Sequence, residues 1–376
     1  MDLEFTDDQQ ELRAAVRAVL DRECPPAVVR EVVEKGEGAA RLWAQMVDLD
    51  WPALTIPEDD GGLGLGFVEL AVLIEELGRV IAPGPLLATC AQFAPAVREA
   101  GTPQQRARFL GEVAAGRSTG ALAVAEAGGD WSAAAIAAEA VPDGDGWRLS
   151  GTKHYVADGA TADEVVVAAR LAGTTGAAGI GLFVVPGAAV QAKPVRTLDP
   201  TLPLATLELD GVRVGADRAL GAPGESGPAL QRAVEEATVS TALMTVGVCQ
   251  SIFTMTLEYA KVREQFGVPI GSFQAVKHKL ADLLIAVERA RALAYFASLT
   301  IAEDDPRRSM AASMAKAAAG DCQHRVVQDG LQLHGGIGYT WEHDLHLYLK
   351  RAKAGEGQFG SAAFHRARVA DQLGLG

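Results

Sequence analysis

Apolar positions recur at helical spacing through the first hundred or so residues. Leu12, Val16, Val19 and Leu20 form one stripe behind a polar start. Thr6 and Gln9 stand three apart just before that stripe. There the threonine hydroxyl can accept a backbone N–H while the glutamine reaches back, a capping box. Cys24, Pro25 and Pro26 stop the helix, because proline lacks the amide that would continue it. A turn-rich stretch spans 57–66, and a second apolar helix runs from Phe67 to Leu77, with Gly78 as its expected cap. Pro83, Gly84 and Pro85 break the chain again, and Thr102 with Pro103 opens a short helix.

The period changes near Arg117. Short β-branched runs follow at 165–167, 180–185 and 206–214, and Asp143 to Gly146 reads as a hairpin turn. This is the pattern of a small antiparallel β domain. Past a loop at 221–227 the helical period returns and holds to the end. Four segments are expected, at 226–263, 273–302, 307–334 and 341–373, divided by Gly267, Pro269, Gly271, Pro306 and the glycines at 335, 336 and 338. Ser272 and Thr340 stand where helix N-caps are expected. Long helices joined by short loops predict an antiparallel bundle. The expected fold class is therefore α+β: an N-terminal helical domain at 1–117, a middle antiparallel β domain at 118–224, and a C-terminal four-helix bundle at 225–376.

Composition narrows the function. The chain has 376 residues, 49% hydrophobic and 22% charged, enough for a large core. Lys and Arg number 34 against 48 Asp and Glu, a net charge of -14 that repels nucleic acid and anionic membranes. A phosphate-bearing ligand then needs local cationic spots. Cys24, Cys90, Cys249 and Cys322 are widely spaced, which argues for reduced thiols over disulfides or a zinc site. The acidic start carries no basic and apolar leader, and the stretch at 238–253 is too short to span a bilayer, so a cytoplasmic protein is expected.

Two segments carry chemistry. In the first, Arg263, Phe266, Gly267, Pro269, Gly271 and Gln274 lie at the break between two helices. An arginine there can fork two N–H bonds to phosphate, and Phe266 offers an apolar ring. In the second, Gln332, Gly335, Gly336, Gly338, Tyr339 and Thr340 follow a helix, and the paired glycines let backbone amides approach a phosphate or ribose. Together, in this order, the segments closely resemble the two C-terminal signatures of the acyl-CoA dehydrogenase family. The helix–β–helix order extends that resemblance over nearly the whole chain. It implies FAD as cofactor, with Arg263, Phe266, Gln332 and Gly336 reaching across a dimer interface to the flavin of a neighbouring subunit, and with Gln274 and Gly335 beside them in the cofactor site. It also implies an acyl-CoA substrate of fatty acid or steroid side-chain β-oxidation, α,β-desaturation of the thioester, and electrons passed to an electron-transfer flavoprotein. The implied assembly is a homotetramer or a heterotetramer with a related chain, without nucleic-acid or membrane partners.

The sequence departs from the family where catalysis is expected. Desaturation needs a carboxylate to take the α-proton. The family's usual position for it falls on Phe359, followed by Gly360, and its alternative position falls near Ala237. Glu356, Glu236 and Glu235 are the nearest carboxylates and the candidate relocated bases. In the β domain, where the family carries Thr-Glu-Pro and an aromatic-Ile-Thr, the chain has Ala125 and Ala157 in the threonine slots. Residues that would hold flavin within the subunit are depleted, while those offered to a neighbour are intact. Two functions follow: a complete dehydrogenase with a relocated base, or a half-site subunit that completes the FAD site of a partner chain. A different flavin reaction on the same scaffold is a third, weaker reading. His343 and His346 read as exposed or capping histidines, with no metal expected. No G-x-S-x-G elbow or strand-linked G-x-G-x-x-G supports a hydrolase or a nicotinamide site.

Overall fold

The computed structural model describes residues 4–37 and 39–375. Its helices are α1 (Asp7–Glu23), α2 (Pro26–Lys35), α3 (Ala39–Asp48) and α4 (Phe67–Arg79). After them α5 (Leu86–Ala88) passes through a π turn into α6 (Ala94–Ala100), and α7 (Pro103–Ala114) follows. The C-terminal helices are α8 (Gly227–Val262), α9 (Gln274–Ala302), α10 (Arg308–His334), α11 (Leu345–Gly357) and α12 (Ala362–Gln372). The capping box predicted at Thr6 and Gln9 is present, and Thr102 with Gln105 forms a second one at α7.

The chain divides into two compact units. One takes the segments up to 36, 67–82 and from 238 on; the other takes 37–66 and 83–237. In the first unit α1 and α4 belong with the C-terminal helices. Glu75 of α4 binds Arg13 of α1 at 3.2 Å and Arg291 of α9 at 2.8 Å, and accepts a bond from the Tyr295 hydroxyl at 2.6 Å. Gly78 lies inside α4 and does not cap it: a Cβ there would sit 2.3 Å from the Met244 carbonyl oxygen on α8. The helix runs on because close approach of two backbones, not termination, requires that glycine. Gly247 serves the same crossing, with Glu75 O 2.0 Å from its would-be Cβ. By length and composition α8 could cross a membrane, but most of its most apolar window is buried, as in the core helix of a bundle.

The second unit is built on a seven-stranded sheet: β1 (Gly120–Ala123), β2 (Glu139–Asp143), β3 (Gly146–Ala157), β4 (Glu164–Leu171), β5 (Ile180–Pro186), β6 (Gln191–Val195) and β7 (Leu204–Gly215). β2 and β3 form the predicted hairpin, with Gly144 at φ 65°. β3 pairs β7, β7 pairs β6 and β4 pairs β5, all antiparallel. The sheet is nevertheless mixed, because β4 meets β1 and β2 in parallel. Alternation within single strands carries no information about the direction of a neighbour brought in by a long connection. Inward residues such as Leu149, Val165, Val167, Phe183, Val185 and Leu207 form its core.

Three further sequence expectations are corrected. The fourth C-terminal segment is two helices, broken at Phe359 and Gly360, both with positive φ. Ser272 does not cap α9: its hydroxyl donates to the Pro269 carbonyl, and Phe273 holds the N-cap position without a side-chain bond. Thr340 caps no helix start either, since α11 begins after Asp344 and the Thr340 hydroxyl donates to Ile337 O. All four cysteines are free and buried.

Candidate functional site

The residues of the two signature segments meet at one end of the helical unit. The Tyr259 ring near the end of α8 stacks on His334, the last residue of α10, with centroids 4.7 Å apart. Lys279 near the start of α9 pairs with Asp329 of α10. Between α8 and α9 the chain makes a miniature hairpin, β8 (Glu264–Gln265) against β9 (Val268–Pro269). Its two-residue turn is Phe266 and Gly267, both left-handed at φ 55° and 78°, as a tight hairpin turn demands. Glycine accepts this readily; phenylalanine does not, and its ring is 92% exposed. Arg263, Gln274, Gln332, Gly335 and Gly336 are exposed as well.

Among the described residues nothing engages the Arg263 guanidinium. Gly335 adopts φ 63° with ψ -142°, a conformation reserved for glycine, and a Cβ on Gly335 or Gly336 would meet no atom within 4 Å. A forked cation, an exposed aromatic ring and two bare backbone positions suit a phosphate-linked planar cofactor. These residues therefore fit FAD, and Arg263 is the group that would take its pyrophosphate.

The carboxylate candidates are held differently. Phe359 is buried, 4% exposed, at φ 55°. Glu356, one turn earlier on α11, accepts from the Gln323 amide at 2.9 Å and pairs with Lys353 at 3.3 Å. Its side chain keeps 36% exposure. Glu236 is buried on Arg98 at 2.5 Å, and Arg98 also meets Glu99, which binds Arg232 at 2.8 Å. Burial opposes the Arg98 charge, yet Glu236 and Glu99 outweigh it and raise its pKa. Glu235 is buried too and accepts from Gln231 at 2.9 Å. Ala237 is fully buried. Glu356 alone of the three carboxylates therefore stands partly open.

In the β unit the loop after β1 is braced from below. Glu126 accepts from the Ala138 amide at 2.8 Å and from the Ala137 amide at 3.0 Å, and binds Lys153 at 2.7 Å. Lys153 is wholly buried; burial lowers its pKa to about 8, with Glu126 acting in opposition. Arg170 adds four bonds to the carbonyls of Ala133, Ile136, Gly176 and Ala178. Glu126 is thus committed to structure, and Ala125 and Ala157 are buried without a hydroxyl to offer. Tyr155, left-handed at φ 59°, keeps its ring 41% exposed.

Of the paired histidines, His343 Nδ1 accepts the Leu345 amide at 3.1 Å and caps α11. His346 is buried and stacks on Trp341 at 4.6 Å, so it is packing where an exposed or capping side chain was expected. No group of three or more metal-type side chains occurs among the described residues. A groove of about 500 Å³ lies among α1, α4, α8 and α9, but its arginines are committed: Arg17 and Arg79 to Glu76, both at 2.6 Å, and Arg13 and Arg291 to Glu75. Sequence reasoning missed Lys153, Lys316 and His365, all buried and each hydrogen-bonded: Lys316 through all three donors, Lys153 to Glu126 and Val124 O, and His365 through Nε2. For Lys316 a signal existed: a lone lysine amid Ala311, Ala312, Ala315, Ala317, Ala318 and Ala319, where a helix has no polar face to put it on.

Along the chain, helical segments precede and follow a mixed β sheet, and an exposed arginine, phenylalanine and glycine pair stand at the end of the helical unit. Models of the acyl-CoA dehydrogenase N-terminal, middle and C-terminal domains match residues 6–117, 121–214 and 227–374. The chain belongs to the acyl-CoA dehydrogenase family, whose members are FAD-dependent oxidoreductases. It is 34% identical to acyl-CoA dehydrogenase IpdE2 of Mycobacterium tuberculosis over 92% of this chain and 91% of that one. Among solved structures it resembles the ChsE4-ChsE5 complex from Mycobacterium tuberculosis, with TM-score 0.90, 29% identity and full coverage of both chains. It also resembles the Tcur3481-Tcur3483 steroid ACAD G363A variant, with TM-score 0.87, 33% identity and 98% of each chain covered.

Proposed function

We propose that this chain takes part in α,β-desaturation of an acyl-CoA thioester as the completing subunit of an assembly with a related chain. The observation that carries this reading is Phe359: a buried hydrocarbon ring stands where the family resemblance in the sequence leads one to expect the base. Glu235 and Glu236 are buried and bonded, while Arg263, Phe266, Gly335 and Gly336 stand exposed at the bundle end. The partner then supplies the carboxylate that takes the α-proton. This chain supplies Arg263 to the cofactor's phosphates, with Phe266, Gln274 and Gln332 around it. FAD, when bound there, would supply the hydride acceptor for the β-carbon. Electrons leave to an electron-transfer flavoprotein. The named likenesses include a two-chain complex and a steroid enzyme, which supports an assembly with a related chain and a steroid side-chain acyl-CoA as substrate. The domain division at 117 and 224 is part of the same proposal.

A second reading has one observation in its favour. Glu356 keeps partial exposure one turn before Phe359 and would be the base of a self-sufficient enzyme. Glu→Gln variants at 235, 236 and 356 in the assembled enzyme separate the two. Turnover within about tenfold of wild type for all three supports the completing role; a loss of about a thousandfold or more at one position makes that residue the base.

A further inference from the structure

Between α11 and α12 the chain turns through Gln358, Phe359, Gly360 and Ser361, and this corner is held from inside the helical unit. Lys316 of α10 is 2% exposed. Its ammonium donates to Gly355 O at 3.1 Å, Glu356 O at 3.0 Å and Gly360 O at 2.9 Å. A lysine has three N–H donors, and all three are used. Two of these acceptors are last-turn carbonyls of α11, which have no partner within their own helix. The buried cation thus serves as a C-cap, at the end of the helix where positive charge is favoured. His365 of α12 adds a bond between its Nε2 and Phe359 O at 2.8 Å, which requires the proton on Nε2. The corner contains Phe359 at φ 55° and Gly360 at φ 102°. A buried phenylalanine in the left-handed region persists only where its surroundings over-determine it.

We infer that Lys316 is a positioning residue: through three backbone carbonyls it sets the corner that presents Phe359, and with it whatever side chain stands at the family's base position. Lys316 touches none of the groups offered to the cofactor. Its effect passes through Gly355, Glu356 and Gly360, and the charged or titratable groups around it are Glu356, His365 and, through Glu356, Lys353. The inference holds whichever chain carries the base, so its test is independent of the half-site proposal.

The test is amide hydrogen exchange on the full-length chain. Lys316→Met keeps most of the buried volume and removes every donor. Lys316→Ala leaves a cavity that propylammonium, but not propanol, can fill with donors. Exchange at 358–361 is expected to rise about tenfold or more in both variants while α9 stays protected, and propylammonium is expected to restore protection in Lys316→Ala alone. Unchanged exchange at the corner in Lys316→Met would overturn the inference. So would rescue by propanol to the same degree, because packing and not hydrogen bonding would then hold the turn. If Lys316→Met does not fold, the comparison of the two additives on Lys316→Ala decides.

Discussion

A left-handed phenylalanine costs about 1–2 kcal/mol relative to the right-handed or extended backbone. The chain carries two in places that matter, Phe266 and Phe359, each followed by a glycine that also has positive φ. Their fates are opposite: Phe266 is thrust into solvent and Phe359 is buried. At the first, strain serves presentation; at the second it serves placement. Gly360 cannot be replaced cheaply, since a Cβ would stand 2.5 Å from Phe364 Cδ1 at a φ of 102°. Gly360→Ala is expected to destabilise the protein by about 1–3 kcal/mol in urea unfolding. Arg263→Ala, exposed and without a partner, is expected to leave stability within about 0.5 kcal/mol. It should weaken FAD binding by the assembly roughly tenfold to a hundredfold, read by flavin fluorescence, because a charge-assisted fork is lost. The motif residues Arg263, Phe266 and Gly335 were legible in the sequence, since their spacing is local. The alanines around Lys316 signal a buried lysine, but what Lys316 and Glu126 hold was not legible, since their partners are brought near only by the folded chain.

At the scale of elements, helices whose ends are written in adjacent residues were legible: the Thr6 capping box, the helix start at Thr102–Pro103 and the β2–β3 hairpin follow from a few neighbouring side chains. Elements shaped by tertiary contact were not. Gly78 reads as a stop signal but is a contact point between α4 and α8, and the α11–α12 break carries no proline. Gly78→Ala is expected to cost at least about 1–3 kcal/mol, because the clash is with backbone and cannot be relieved by a rotamer change. The corner also has a pH signature. Burial lowers the His365 pKa to about 4, against the bond to Phe359 O, which raises it. The unfolded chain takes that proton near pH 6.5, so it binds more protons than the fold between the two values. Stability from neutral His365 is therefore complete above about pH 6.5 and is lost as pH falls towards 4, by roughly 3 kcal/mol in all. His365→Gln keeps a donor without titrating, and its unfolding free energy should fall less than that of wild type between pH 7 and 4.5.

At the scale of the whole molecule the net charge is -14, and at the end of the helical unit the exposed Arg263 guanidinium stands against it with no partner among the described residues. The β unit offers the opposite picture: its buried Lys153 is spent on Glu126 and Val124 O, and Arg170 on backbone carbonyls. Ala125 and Ala157 in that unit are buried and bring no hydroxyl. The missing hydroxyls at Ala125 and Ala157 are visible in one dimension. The sequence did not reveal how firmly the nearby acids are tied, because Arg98 lies far along the chain from Glu236.

The most direct test is the FAD content of the isolated full-length chain, read from its visible spectrum after purification and again after coexpression with a candidate related chain. The half-site account predicts little bound flavin alone and near-stoichiometric flavin in the assembly, with Arg263→Ala impairing only the latter. Stoichiometric, tightly held FAD in the isolated chain, together with turnover of an acyl-CoA, would contradict it and turn the search for a base to Glu356.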